Sequence, residues 1–503
     1  MKRIGSITNI LPFFSSEEKS QIQTLMEDAK NYADFADRLT SHVISTETSE
    51  ELVYLAWYHT YCSFNARQFG FLLEKFSGQS LILPWFIWWE MTIQESWEWS
   101  ILQNAVDKAI SKASNPWIRF DLHTLELMCT HGKGAGIVAE DEVIKRMEQL
   151  IEDNKSLEFA KSRISAHLAE RYRNQDNAKS LEIWKSTYAH TQKFREDVFG
   201  TTALVGIAEI ISLTNPTKGL DLLQSVADID NHLGFFDRST GLFTVMGVVL
   251  DARGEYDAAV RSYEESLHLR EMSHPGLSQR FIPTCLSRAF RRMGLYEEAL
   301  EWARMALTQQ PILSRIPSQG LDVTAHVNMS AALAHLGRLK EAKEHCEIAN
   351  QITLKTGSEL WLSDVYFCTG LIERTEGNLI DAMASFERAF EIVERLERQG
   401  RINECLLMLA ETEIQLNYEM VTGRQDQSKS HWLSLAEEMA RRKNLPGVLG
   451  QVLLLKAKVQ FLHNENRTAQ SILEQVLNLS ENPGSRFLQQ KISTLRSTFE
   501  DRY

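Results

Sequence analysis

Cysteine, proline and glycine are all scarce in this chain. Six cysteines lie singly along 503 residues, at positions 62, 129, 285, 346, 368 and 405, with no C-x-x-C pair among them. That spacing excludes a zinc ribbon, a dithiol redox motif and a dense disulfide framework, and it fits reduced thiols in a cytoplasmic protein. Ten prolines and 25 glycines are few for this length, so helices can run uninterrupted where a sandwich of many short strands would need more turn residues. Long apolar runs are also missing. The most apolar stretch, Leu81 to Trp89, has nine residues, against about 20 for a helix that spans a bilayer. Lys2 and Arg3 precede Ile4 to Phe14 in the outline of a signal peptide, but Ser6, Thr8, Asn9 and Pro12 interrupt the run and no small-residue cleavage site follows. The expectation is a cytoplasmic protein with no membrane partner.

Positive charge is in deficit, with 54 Lys and Arg against 67 Asp and Glu and a formal charge of −13. General affinity for phosphate backbones, which needs clustered cations that release counterions, is therefore not expected, and neither is a nucleic-acid partner. Catalytic signatures are absent: there is no G-x-S-x-G, no H-E-x-x-H and no dinucleotide fingerprint. Cys129-Thr-His131-Gly-Lys133-Gly-Ala-Gly136 has the look of a phosphate loop without its spacing, and it follows a helix, so it reads as a turn between two helices. His123, Cys129 and His131 offer no i, i+4 pair and no fourth ligand. The chain is expected to be no enzyme and to carry no cofactor and no metal.

What the sequence does contain is periodicity. With 43% hydrophobic and 24% charged residues it is an ordinary folded chain, yet too long for one core, since cores stop growing near 250–300 residues. Phe243-x-x-Met246-Gly247-x-x-Leu250-x-x-x-Gly254-x-Tyr256-x-x-Ala259-x-x-x-Tyr263-x-x-Ser266 recurs at the same offsets three times. The copies are Leu286, Ser287, Phe290, Gly294, Tyr296, Ala299, Ala303, Ala306, Pro311; then Met329, Ser330, Leu333, Gly337, Leu339, Ala342, Cys346, Ala349; then Tyr366, Gly370, Gly377, Leu379, Ala382, Phe386, Ala389. Units start near 240, 280, 323 and 363, a step of 40 to 43 residues.

This pattern resembles the tetratricopeptide repeat in a long form, as in kinesin light chains and the sensor domains of some large bacterial regulators. Small residues such as Gly247 and Ala259 sit where two helix backbones approach, large ones fill the gaps, and the recurring glycine ends the first helix in a left-handed conformation. The resemblance implies an all-α, right-handed superhelical solenoid of antiparallel helix hairpins. The same step extends, with weaker agreement, to Leu453, Ala457, Ala469, Leu473 and Val476, across a unit near 403 that carries a polar insertion from Thr422 to Lys429. Upstream, Leu204, Ile207, Ala208, Ile211, Leu220, Leu223 and Ala227 form a degenerate copy. The expected organisation is a tryptophan-rich helical N-terminal cap over 1–117, degenerate hairpins over 118–239, repeats over 240–485 and a C-terminal capping helix over 486–503. Trp57, Trp85, Trp88, Trp89, Trp97, Trp99 and Trp117 fall in the cap; they are read as core, with an exposed surface for a partner or a second copy of the chain as the alternative.

In the family the first helix of each unit lines the concave surface. Carried over by position, this implies Thr244, Val248 and Asp251; Phe281, Thr284, Arg288, Arg291 and Arg292; Val327, Ala331, Ala334 and His335; and Phe367, Leu371 and Arg374. Of the carboxylate-clamp positions used by co-chaperone repeats only Asn328 matches, which does not support a chaperone role. The arginines form a basic cluster in an acidic protein, either facing a ligand or paired with neighbouring acids. The resemblance thus implies a non-catalytic interaction scaffold whose groove holds a peptide or protein segment, acidic and with apolar anchors. The second reading is a ligand- or peptide-sensing regulator whose solenoid changes curvature to control an effector, similar to bacterial peptide-responsive regulators, although no N-terminal helix-turn-helix is evident.

Overall fold

The computed structural model describes residues 5–63, 66–76, 78–94, 99–132, 137–173, 176–235, 239–273, 280–308, 319–396, 398–420, 430–481 and 485–500. Among them every regular element is a helix and there is no strand. Numbered from the start of the clear repeats, the helices are α1 (Ser239–Arg253), α2 (Tyr256–Ser273), α3 (Phe281–Met293), α4 (Tyr296–Thr308), α5 (Gln319–His335), α6 (Leu339–Thr356), α7 (Glu359–Thr375), α8 (Leu379–Arg395), α9 (Gln399–Met420), α10 (His431–Arg442), α11 (Pro446–Leu462), α12 (Asn466–Glu481) and α13 (Arg486–Glu500). Consecutive helices pack as hairpins, α1 on α2 through α11 on α12, and each hairpin leans on the next. The polar insertion Thr422 to Lys429 and Pro311 lie outside the described residues.

The recurring glycines do what their spacing predicts. Gly254, Gly294, Gly337 and Gly377 stand at φ of 79°, 82°, 73° and 88°, a region where a Cβ is costly, and they turn the chain from the first helix of each unit into the second. Ala259, Ala299, Ala342 and Ala382, on the second helices, are fully buried. The small position of the first helix is matched to a partner sixteen residues on. A Cβ at Gly370 would lie 2.8 Å from the Phe386 ring and one at Gly247 would lie 2.5 Å from the Tyr263 ring. Where serine replaces glycine the partner shrinks to Ala303 or Cys346, and the hydroxyl finds a carbonyl: Ser287 Oγ donates to Ala299 O at 2.7 Å and Ser330 Oγ to Ala342 O at 2.8 Å. Close packing thus holds in both forms, by a ring against a glycine or by a small residue against a hydrogen-bonded serine.

Ahead of the clear repeats, one apolar core runs from Ile7 to Ile164 and takes in Val198, Leu233 and Phe235. Apolar packing therefore crosses residue 117 without a break. Trp57, Trp85 and Trp117 are 1%, 4% and 0% exposed, and Trp88 and Trp99 pack partly buried against the same core. These five serve as core, not as a face for a second copy; Trp97 and the Trp89 side chain lie outside the described residues. Inside this core Tyr54 donates to Asp121 at 2.8 Å and Trp85 Nε1 donates to Tyr54 at 2.7 Å.

The C-terminal part departs from an open spiral. Helix α1 packs on its own hairpin partner and also against α9 and α11, and α2 meets α13. Gly254 and Gly447 touch backbone to backbone, so that a Cβ on Gly254 would lie 2.7 Å from the Val448 nitrogen. The first clear repeat thereby closes on the last, and the repeats form a ring.

Substituting Ala299 or Ala342 by leucine should destabilise the protein by about 1–3 kcal/mol, because each side chain sits in a site with no spare volume. Thermal denaturation checks this, and an unchanged melting temperature in both variants would contradict the packing register.

Candidate functional site: a basic cavity

Each first helix points one face inward, and on α3 that face is basic because Arg288, Arg291 and Arg292 stand at i, i+3 and i+4. Arg288 Nε lies 2.8 Å from Asp251 of α1, and Arg292 bridges Asp251 and Glu404 of α9 at 2.8 Å each. Arg291 pairs with the other oxygen of Glu404. Arg401, one turn before Glu404, holds it at 2.8 Å and holds Asp364 of α7 at 2.6 Å. The Phe367 ring lies beneath both Arg401 and Arg291, with the guanidinium carbons 4.8 and 5.7 Å from its centroid. Burial alone would raise the Asp251 carboxyl, but Arg292 and Arg288 hold it below its ordinary range. Burial is likewise overcome at Glu404, which Arg291, Arg292 and Arg401 hold well below the usual value.

Beside this network lies a cavity of about 740 Å³. Arg291, Arg292, Ala334, His335, Phe367, Leu371 and Arg374, seven of the fifteen concave positions carried over from the family, line it. Others are placed elsewhere. Arg288 is spent on Asp251. Thr284, Val327 and Asn328 are 2%, 1% and 0% exposed and are interior residues: the Thr284 hydroxyl donates to Arg280 O at 2.6 Å, and the Asn328 amide donates to Thr284 O at 3.1 Å. Phe281 is exposed but does not reach the chamber. Neighbouring first helices, α3 on α5 and α5 on α7, pack against each other there, which turns several positions taken as concave into helix contacts.

The opposite wall went unread in the sequence. Lys458 on α11 and Lys491 on α13 face the cavity, and among the described residues neither is paired with a carboxylate. Arg374 is paired with Glu411 at 2.8 Å. Five cations and two carboxylates, Glu404 and Glu411, thus line a space otherwise walled by Leu371, Leu407, Met408, Leu454, Leu455 and Leu495. The only signal available for the lysines was their place on the first helix of the weakest repeat and on the capping helix.

Burial pushes the nearby Cys368 and Cys405 thiols up, away from the thiolate form. Among the described residues no three His, Cys, Asp or Glu side chains are grouped to hold a metal ion, and no helix is long and apolar enough to cross a membrane. Of the phosphate-loop lookalike, Lys133 to Gly136 lie outside the described residues; His123 is bonded to Glu126 at 2.7 Å.

The tetratricopeptide repeat family model matches residues 323–347, which span most of α5 and the first half of α6. The chain is a repeat protein of the tetratricopeptide type. No curated protein sequence matches it. Among solved structures, this tetratricopeptide solenoid is similar to a Rap protein complexed with competence and sporulation factor, at 10% identity and TM-score 0.44 over 69% of this chain and 100% of the other. The apo form of the quorum sensor NprR from B. thuringiensis aligns at 13% identity and TM-score 0.45 over 71% and 97%. A signal transduction ATPase with numerous domains and a tetratricopeptide repeat sensor, from Pyrococcus horikoshii, aligns at 14% identity and TM-score 0.41 over 73% and 54%.

Replacing Glu404 by alanine strands three buried guanidinium groups and should cost about 3–5 kcal/mol. Because the folded values of Asp251 and Glu404 lie below their unfolded values of 3.8 and 4.5, their contribution is complete above about pH 4.5 and is lost as the pH falls through the folded values. Acid denaturation of the parent and of Glu404→Gln, followed by circular dichroism, checks this: the variant should show the shallower loss of stability below pH 4.5.

Proposed function

We propose that the protein is a non-catalytic interaction protein that holds an acid-bearing ligand, a short peptide or a segment of another protein with apolar side chains, in the chamber of its closed superhelix. The observation that carries this reading is the excess of cations in a cavity with aliphatic walls. Its volume falls in the range of about 300–1,000 Å³ usual for ligand sites, and Lys458 and Lys491 are without the internal acids that occupy Arg288, Arg291 and Arg292. A carboxylate entering there gains charge-assisted hydrogen bonds in a partly desolvated space, and its apolar side chains find Leu371, Met408 and Leu455. A cytoplasmic setting accords with six unpaired, buried cysteines.

A second reading is a sensor whose solenoid changes curvature on binding; the contacts between the first and last repeats are where such a change would register.

Lys458 and Lys491 are the residues to reverse, because reversing Arg288 and Arg291 would break the buried network before it tested a ligand. The apolar anion 1-anilinonaphthalene-8-sulfonate serves as a probe. Its affinity should fall at least tenfold, about 1.4 kcal/mol, in the double variant Lys458→Glu, Lys491→Glu, and binding to the parent should weaken with added salt. Equal affinity in parent and variant, at equal helix content, would place the ligand outside the chamber.

A further inference from the structure

We infer that the acid of the ligand is seated at one end of the cavity, on Lys491, Tyr296 and His335 around the bare backbone of Gly294, and that its binding puts a proton on His335. This rests on the cavity reading above and adds where the anion sits and how its binding is coupled to a proton.

Gly294 follows α3 at φ 82° and lines the cavity without a side chain of its own. Lys491 Nζ, from α13, lies 3.3 Å from the point where a Cβ would stand on it, and Tyr296 Oη, from the start of α4, lies 3.9 Å from the same point. Both are therefore within reach of one carboxylate or sulfonate. The Tyr296 ring lies flat on the His335 ring at the end of α5, with centroids 4.6 Å apart and planes 9° from parallel. Stacking holds the imidazole beside the same spot, and all three side chains line the cavity. Among the described residues none of their polar groups has a hydrogen bond or an ion pair; the Lys491 ammonium has the Phe487 ring 5.7 Å away. Arg288, Arg291, Arg292 and Arg374 differ in this, since each already faces a carboxylate. Burial raises the Tyr296 phenol above its ordinary value, so it keeps its proton and donates.

His335 is the titrating member. The charges that face it are Arg291 of α3, Arg374 of α7, and Glu404 and Glu411 of α9, and Lys491 of α13 shares the subsite. Burial and the Arg291 charge hold the imidazole down to about 4, with Arg374 adding to them and Glu411 and Glu404 opposing, so the ring is neutral at neutral pH. An anion set beside it supplies the missing negative charge and favours the imidazolium. A proton bound in the complex and absent from the free protein makes affinity rise as the pH falls from the ordinary histidine value of 6.5 towards 4. Among the described lining residues His335 is the only one whose ordinary range lies there.

The test uses 1-anilinonaphthalene-8-sulfonate, whose sulfonate stays ionised throughout, between pH 5.5 and 7.5. Affinity is read by fluorescence titration, proton uptake by calorimetry in buffers of different ionisation enthalpy, and helix content by circular dichroism. From pH 7.5 to 5.5 the parent's affinity should rise at least threefold, with an uptake of about half a proton or more per ligand at pH 5.5. In His335→Gln, which has no group to take the proton, the rise and the uptake should both vanish. Tyr296→Phe keeps the stacked ring and removes the donor, so affinity should fall at least threefold at both pH values while the rise persists. A parent affinity that ignores pH, a rise that survives His335→Gln, or a Tyr296→Phe variant that binds as the parent does would overturn the subsite and leave the cavity reading standing. Parent binding that the Lys458→Glu, Lys491→Glu reversal leaves unchanged would overturn the cavity reading and the subsite with it.

Discussion

Four guanidinium groups, of Arg288, Arg291, Arg292 and Arg401, share a buried volume with the carboxylates of Asp251, Asp364 and Glu404, and neither set tolerates losing the other. Removing one member of such a cluster leaves a charge in a medium that cannot solvate it. The cluster draws its members from α1, α3, α7 and α9, first helices of four units, so satisfying the charges brings those units together. The curvature of the ring and the chamber beside it depend on that pairing. Aliphatic packing between successive hairpins sets how each repeat stacks on the next; the ions select the arrangement in which the first and last meet.

A tension between stability and access runs through the chamber wall. The arginines that make it basic are mostly consumed by internal acids, and burial holds them rigid. The cations left for a ligand sit on α11 and α13. A solenoid built this way separates the charges that hold its shape from the charges proposed to meet a ligand.

The fold was legible because its signals are local. A glycine at each first-helix end and an alanine near the start of each second helix fall within one unit, where one sequence suffices; the glycine–ring or serine–small pairing sixteen residues apart came with the structure, in place of a Gly247–Ala259 approach. Legibility fades where another residue does the same work: Asn464, at φ 61°, closes the first helix of the last unit in the left-handed conformation that glycine adopts elsewhere. The site was legible only in part. Arg291, Arg292, Phe367, Leu371 and Arg374 follow from register, but their partners do not. Arg292 and Glu404 are 112 positions apart, and nothing in periodicity says that a spiral of 40-residue units will close on itself. Thr284, Val327 and Asn328 were misplaced for the same reason, since how deeply a first helix sinks between its neighbours depends on curvature, which the repeat leaves unspecified.

Closure of the ring through buried charge is the claim on which the cavity and the proposed ligand class rest. A double-mutant cycle between Arg292 and Glu404, using Arg292→Met and Glu404→Gln with stability read from urea denaturation, measures it in solution. Residues that meet as described should show a coupling of at least about 1 kcal/mol. A coupling within about 0.3 kcal/mol of zero, the additivity expected of sites that do not touch, would mean that the repeats do not close and that the chamber is not formed.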